Sequence, residues 1–148
     1  MPLSASLSLV ATKKDLTEIR DFIEETGKKF GLDPELIAQV RLAVDEAVAN
    51  VLEHGYRNQP GWVEVIIQQE QLDLMGYIID KSMPFDPTQV PPPDLSIPAP
   101  LRSPGGMGLT LIKQALDELR YEAPSAGGNR LIMIWQNVFD NSTATNGS

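Results

Sequence analysis

The 148-residue chain contains no cysteine, which excludes disulfides and thiolate metal sites. Its one histidine, His54, excludes a multi-histidine metal centre. Basic residues are few: 12 Lys and Arg stand against 20 Asp and Glu, a net charge of −8. A duplex nucleic-acid binder needs a dense basic surface, so no direct nucleic-acid partner is expected. A protein partner or a metal-bound nucleotide remains compatible with that charge. No apolar run approaches a membrane span, so no membrane partner is expected either. The opening "MPLSASLSLV" alternates small polar and apolar residues without a basic flank, the pattern of a strand rather than a signal peptide. A cytoplasmic protein fits these absences. What is present is ordinary for a globular chain. Hydrophobic residues make up 42%, enough to fill the core of one domain of this length.

The pattern along the chain predicts a strand over Leu3 to Ala11, then a helix from Lys13 to Phe30 with Leu16, Ile19, Ile23 and Phe30 on one side. Gly31 ends it. Asp33 and Pro34 then supply an N-cap and a first helical residue, and the second helix runs to His54 before Gly55 stops it. Strands follow at about Trp62 to Gln69 and Leu72 to Ile79, joined by the polar "QQEQ". Between Pro84 and Pro104 the character changes, because eight of the twelve prolines fall there and neither helix nor central strand survives that density. A loop this long inside a compact chain suits a lid or a binding loop. It ends in "PGGMGLTLI", where Leu109, Ile112, Leu116 and Leu119 restore helical spacing. "LRYEA", a turn at "PSAGGN" and the strand "RLIMIWQNV" complete the order β-α-α-β-β-loop-α-β-β. That order predicts an α+β fold: a two-layer α/β sandwich whose mostly antiparallel, mixed sheet carries helices on one face. One domain over residues 1–138 and a polar tail over 139–148 are expected.

Three stretches carry chemistry. Glu46, Asn50 and His54 stand at i, i+4 and i+8, one stripe on a helix whose other positions are apolar. Alone, such a stripe is commonly a solvated face. Functionally, Asn offers a neutral oxygen suited to Mg²⁺ and Glu a proton acceptor one turn away. In "GYIIDKSMPFDP" an apolar strand ends in Asp80, which either starts a turn or accepts a hydrogen bond from an amine such as the exocyclic one of adenine. "GGMGL" opens a helix after the proline-rich loop. Its glycines serve either as a hinge or as backbone that approaches a phosphate beside a helix N-terminus.

In order and spacing, "EAVAN", "DKSMPFDP" and "GGMGLTLI" resemble the three nucleotide-binding boxes of the GHKL ATPase superfamily, the gyrase and histidine-kinase type of ATP site. Within it, "DEAVANVLEHGY", "PFDP" and "GGMGLTLI" are similar to the anti-sigma-factor serine/threonine kinases of bacterial stress and sporulation switches. The resemblance covers nearly all of the chain up to about Val138. It implies Glu46 as general base toward the attacking hydroxyl, Asn50 as ligand of the Mg²⁺ that bridges the ATP phosphates, and Asp80 as partner of adenine. Gly105, Gly106 and Gly108 would bring backbone to the phosphates, with Leu109 behind them, and Ser82 and Phe85 would lie beside the base. His54 has two readings, a neighbour of the phosphate tail or a cap of its helix C-terminus. Arg102 likewise either reaches a phosphate or stays in solvent.

One departure stands out. The family pattern at the second box is Asp-x-Gly, and Ser82 occupies the glycine position. A Cβ there is expected to narrow the adenine pocket or to strain the turn. The resemblance implies an ATP- and Mg²⁺-dependent serine/threonine protein kinase that phosphorylates a small anti-anti-sigma (STAS-type) partner, holds a sigma factor, and forms homodimers. The alternative, favoured by Ser82, is a non-catalytic partner-binding module with a degenerate nucleotide site.

Overall fold

The computed structural model of the chain describes residues 2–86 and 112–139. Strand β1 (Ser4–Ala11) leads through a 3-10 turn (Lys13–Asp15) into α1 (Leu16–Lys29). Helix α2 (Pro34–Asn50) follows and continues as one π turn (Val51–Gly55). Then come β2 (Gly61–Glu70), β3 (Asp73–Asp80), β4 (Glu118–Glu122) and β5 (Asn129–Trp135). The five strands form one sheet in the order β1-β2-β3-β5-β4, and its four pairings are all antiparallel.

Period-2 patterning decides which side of the sheet is covered. Ala5, Leu7 and Leu9 of β1 face the helices, while the alternate Ser4, Ser6 and Ser8 are exposed. Val63, Val65 and Ile67 of β2, Leu74 and Ile78 of β3, and Leu131, Met133 and Trp135 of β5 meet Ile19 and Ile23 of α1 and Val40, Val44, Ala47 and Val48 of α2. This is the core, buried between the sheet and the two helices. The buried indole of Trp135 donates to Ala115 O at 2.7 Å. A smaller apolar cluster of Met75, Tyr77, Ile132 and Ile134 lies apart from it. Two ion pairs, Arg20–Asp45 and Arg41–Glu24, tie α1 to α2 at the surface.

Local chemistry shifts several expected boundaries. The first helix starts later than Lys13, because Asp15 turns back to accept from the Thr12 N–H at 2.8 Å and the Thr12 hydroxyl at 3.2 Å. Asp33 caps α2 with extended backbone and Pro34 holds its first position, but the Asp33 side chain makes no capping bond. The β2–β3 turn is shorter than expected. Gln71 takes a φ of 58°, and the buried Gln69 amide donates to its carbonyl at 3.0 Å. Leu119, expected on a helix, lies in β4. Helix persists over 112–115, and then the Asp117 N–H reaches Ile134 O at 3.0 Å and the chain joins β5. Phe139, placed in a polar tail by sequence alone, is buried and its N–H donates to Leu72 O at 3.0 Å.

Candidate functional site

The site forms where the C-terminal end of α2 meets the adjacent ends of β3, β4 and β5. The antiparallel register sets Asp80, the last residue of β3, opposite Asn129, the first of β5. Gly128 permits this approach. It has a φ of +81°, and a Cβ there would lie 2.1 Å from Asp80 O. Asp80 is 3% exposed. Its Oδ1 accepts from the Ser82 N–H at 2.9 Å, the Ser82 hydroxyl at 2.6 Å and Asn129 Nδ2 at 3.0 Å. Burial of a carboxylate in this way is tolerable because each donor offsets part of the lost hydration.

Asn129 is the hub. Its Nδ2 also lies 3.1 Å from Ser82 Oγ and 3.2 Å from Met83 O. Its Oδ1 accepts from the Phe85 N–H at 2.8 Å and from the Tyr121 hydroxyl. Burial pushes that hydroxyl up.

The opposite wall comes from α2 and its π turn. The π turn is closed by the Tyr56 N–H bonding Val51 O at 2.9 Å. Such insertions shift a helical face by one position and recur at functional sites. Tyr56 clamps the turn to the sheet: its hydroxyl donates to Trp62 O at 2.6 Å and accepts from the Lys81 N–H at 2.8 Å. Between the walls lies a cleft lined by Ala47, Asn50, Val51 and Gly55 on one side and by Asp80, Tyr121, Asn129 and Leu131 on the other. Ser82, Phe85 and Ile112 complete the lining. Apolar walls above an acceptor at the floor suit a flat heteroaromatic ring that carries an amino donor.

Asn50 is 9% exposed and lines this cleft. Among the described residues its amide makes no hydrogen bond, so its oxygen is available to the cleft. No group of three His, Cys, Asp or Glu side chains that could hold a metal occurs among the described residues. Glu46 stands one turn before Asn50 and outside the lining of the cleft. Burial first, and then the neighbouring Asp45 charge, hold its carboxyl above the ordinary range, while Arg20 pulls it down. His54 is exposed, and its ring stacks on Phe85 with centroids 5.8 Å apart and 27° between planes.

Of the stripe proposed from sequence, Asn50 lines the same cleft as the strand-end Asp80, with Ser82 and Phe85, whereas Glu46 and His54 are not among its lining residues. Arg102, Gly105, Gly106, Gly108, Leu109 and the stretch from Pro87 to Pro104 lie outside the described residues. The expectation for Ser82 is corrected in part. Its φ is not among the left-handed values, which at non-glycine positions occur at Arg57, Asn58, Gln71 and Asn137. The turn is therefore unstrained by serine, and the hydroxyl supplies a donor to Asp80. Room for it comes from Gly55, where a Cβ would lie 2.5 Å from Ser82 Oγ. Asn129, Tyr121, Gly128 and Gly55 were missed as site residues. A polar residue heading the apolar strand "NRLIMIW" was the available signal for Asn129.

The model of the histidine kinase-like ATPase domain matches residues 9–135. An anti-sigma F factor of Clostridium acetobutylicum is 31% identical over 104 residues, covering 69% of this chain and 73% of the relative. The serine/threonine-protein kinase BtrW of Bordetella bronchiseptica is 25% identical over 118 residues, covering 79% of this chain and 83% of that one. The crystal structure of the RsbU and RsbW domains of a Mycobacterium tuberculosis protein superposes with a TM-score of 0.63 at 18% identity, over 90% of this chain and 32% of that one, and so shares the fold. No helix among the described residues is long and apolar enough to cross a membrane. With a cleft lined by the Asp80 acceptor and the Asn50 amide, and with these relatives, the chain belongs to the histidine kinase-like ATPase domain family, in its anti-sigma-factor kinase branch.

Proposed function

We propose that the chain is an ATP- and Mg²⁺-dependent serine/threonine protein kinase that phosphorylates a small anti-anti-sigma (STAS-type) protein and holds a sigma factor. The observation that carries this reading is the placement, across one cleft, of the Asp80 acceptor and the Asn50 amide, which makes no hydrogen bond among the described residues. Asp80 accepts from the base amine, and the apolar side chains of Ala47, Val51, Ile112 and Leu131 flank the ring. Asn50 gives its oxygen to the cation. ATP and its Mg²⁺, when bound, supply the phosphoryl group and the charge neutralisation. Phosphoryl transfer asks little more of a protein than positioning, electrostatics and a base. Glu46, on the same helix face as Asn50, takes the proton of the partner's hydroxyl. Its raised proton affinity suits that task, because a carboxylate that binds a proton more tightly is a stronger base.

The rival reading, a binding module with a degenerate site, rested on Ser82, and the donor role of its hydroxyl weighs against that argument. The test is transfer of labelled γ-phosphate from Mg-ATP to the STAS-type proteins of the same cell. Serine or threonine labelling that disappears in Glu46→Gln is expected. Mg-ATP binding without transfer to any of them would favour the binding module, and no nucleotide binding by folded protein would overturn the ATP site itself.

A further inference from the structure

The Asp80 carboxylate has two oxygens that are chemically equivalent until something breaks the symmetry. Here all three donors among the described residues converge on Oδ1: the Ser82 N–H, the Ser82 hydroxyl and the Asn129 amide. A carboxylate oxygen that already accepts three hydrogen bonds has no lone-pair direction left for a ligand. The orientation of Asn129 is itself unambiguous. The Phe85 N–H can only donate and so must meet the amide oxygen, which turns the amide nitrogen to Asp80. The Tyr121 hydroxyl bonds the same oxygen, and Gly128 abuts the Asp80 backbone, so neither side chain is free to turn.

We propose that Asn129, acting with Ser82, is a positioning residue for base selectivity. By occupying Oδ1 it pins the carboxylate and leaves Oδ2 as a single, fixed acceptor. A site of that kind takes a purine that carries an amino donor at the 6-position and rejects a 6-oxo purine, which would set an acceptor against an acceptor. The inference rests on the nucleotide reading above and adds to it the residues that enforce the choice of base. Ser82 at the usual glycine position is then part of the selectivity device.

The informative variant is Asn129→Asp. It is nearly isosteric and keeps an oxygen for the Phe85 N–H and the Tyr121 hydroxyl, so the loop remains anchored. It replaces the donor that faces Asp80 with a second carboxyl at about the same place, 3.0 Å away, and like charges that close share a proton, so Asp80 no longer presents a fixed, unprotonated acceptor. Ser82→Ala removes the other side-chain donor and serves if Asn129→Asp does not fold. Binding of Mg-ATP and Mg-ITP is measured for each by calorimetry. One hydrogen bond to a charged acceptor is worth about 10-fold to 100-fold in affinity, so the wild type should prefer ATP over ITP by at least about 10-fold. Each variant should bring that preference to within about threefold, because a carboxylate that can turn no longer presents one fixed acceptor. A role confined to holding the fold would lower the melting temperature and leave the ATP-to-ITP ratio unchanged. An unchanged ratio in folded variants therefore overturns the proposal, as does a wild type that binds the two nucleotides equally. A wild type that binds neither overturns the nucleotide reading, and the selectivity proposal falls with it.

Discussion

Gly55 and Ser82 are predicted to be energetically coupled. A Cβ on residue 55 would stand 2.5 Å from Ser82 Oγ and 3.0 Å from Ser82 Cβ, where carbon contacts prefer about 3.5–4.0 Å. Rotation of the serine does not solve this. Its hydroxyl is committed to Asp80 at 2.6 Å, and its Cβ is fixed by the backbone. Overpacking of this kind costs about 1–3 kcal/mol. Residue 55 is helical rather than left-handed, so alanine also returns up to about 1 kcal/mol of helix propensity. Gly55→Ala alone should therefore cost about 0–3 kcal/mol, the sum of those two opposing effects. Ser82→Gly alone loses a hydrogen bond to a carboxylate, about 1.5–3 kcal/mol, and adds up to about 1 kcal/mol of backbone freedom to the unfolded chain. In the double variant the clash has no partner, while the propensity gain remains. It should be more stable than the sum of the single variants predicts by about 1–3 kcal/mol. Denaturant unfolding of the four proteins measures this. At about 2–4 °C per kcal/mol for a chain of this size, melting temperatures would show it as well. Additivity to within about 0.5 kcal/mol would refute the claimed contact between the end of the α2 segment and the Asp80 turn.

Two further variants test the polar residues of α2. The raised proton affinity of Glu46, caused first by burial, makes the folded state bind that proton more tightly than the unfolded chain does. Wild-type stability should then fall as pH rises from the ordinary carboxylate range to the raised value. Glu46→Gln lacks this loss, so it should be at least as stable as wild type at pH 7 and lose that advantage under acid conditions where Glu46 is protonated in both states. Lower stability of Glu46→Gln at neutral pH would contradict the burial argument. Asn50→Ala removes an amide that has no hydrogen bond among the described residues, so its stability should stay within about 1 kcal/mol of wild type. ATP affinity in Mg²⁺ should meanwhile drop toward the value measured with chelator. Unchanged metal dependence in this variant would exclude Asn50 as the ligand.

How much was legible beforehand follows from the range of the forces involved. The Glu46 and Asn50 spacing needs only the period of one helix, which the π turn interrupts before His54, and the strand-end Asp80 only the end of one apolar run. The core faces of β1 and β2 follow from alternation within each strand. Each of these is set by residues within a few positions of one another. The helical spacing of Leu116 and Leu119 does not carry a helix as far as Leu119, because the Asp117 N–H bonds Ile134 O, a partner 17 residues away, and β4 begins at Glu118. The π turn likewise changes the face presented by Val51 to Gly55 through contacts with Trp62 and Lys81 that local propensity does not contain.

The sequence by itself therefore determined the fold class, the two helices and the candidate carboxylate, amide and imidazole, because hydrophobic periodicity and short motifs are local properties of the chain. Only the tertiary structure decided what Ser82 does. Read alone, it was a side chain where glycine belongs, with a steric cost. In the fold, the register that sets Asp80 against Asn129 and the bare Cα of Gly55 turn that side chain into a hydrogen-bond donor. The sign of its effect depends on residues 27 positions before it and 47 after it, and a chain reveals such partners only once it has closed on itself.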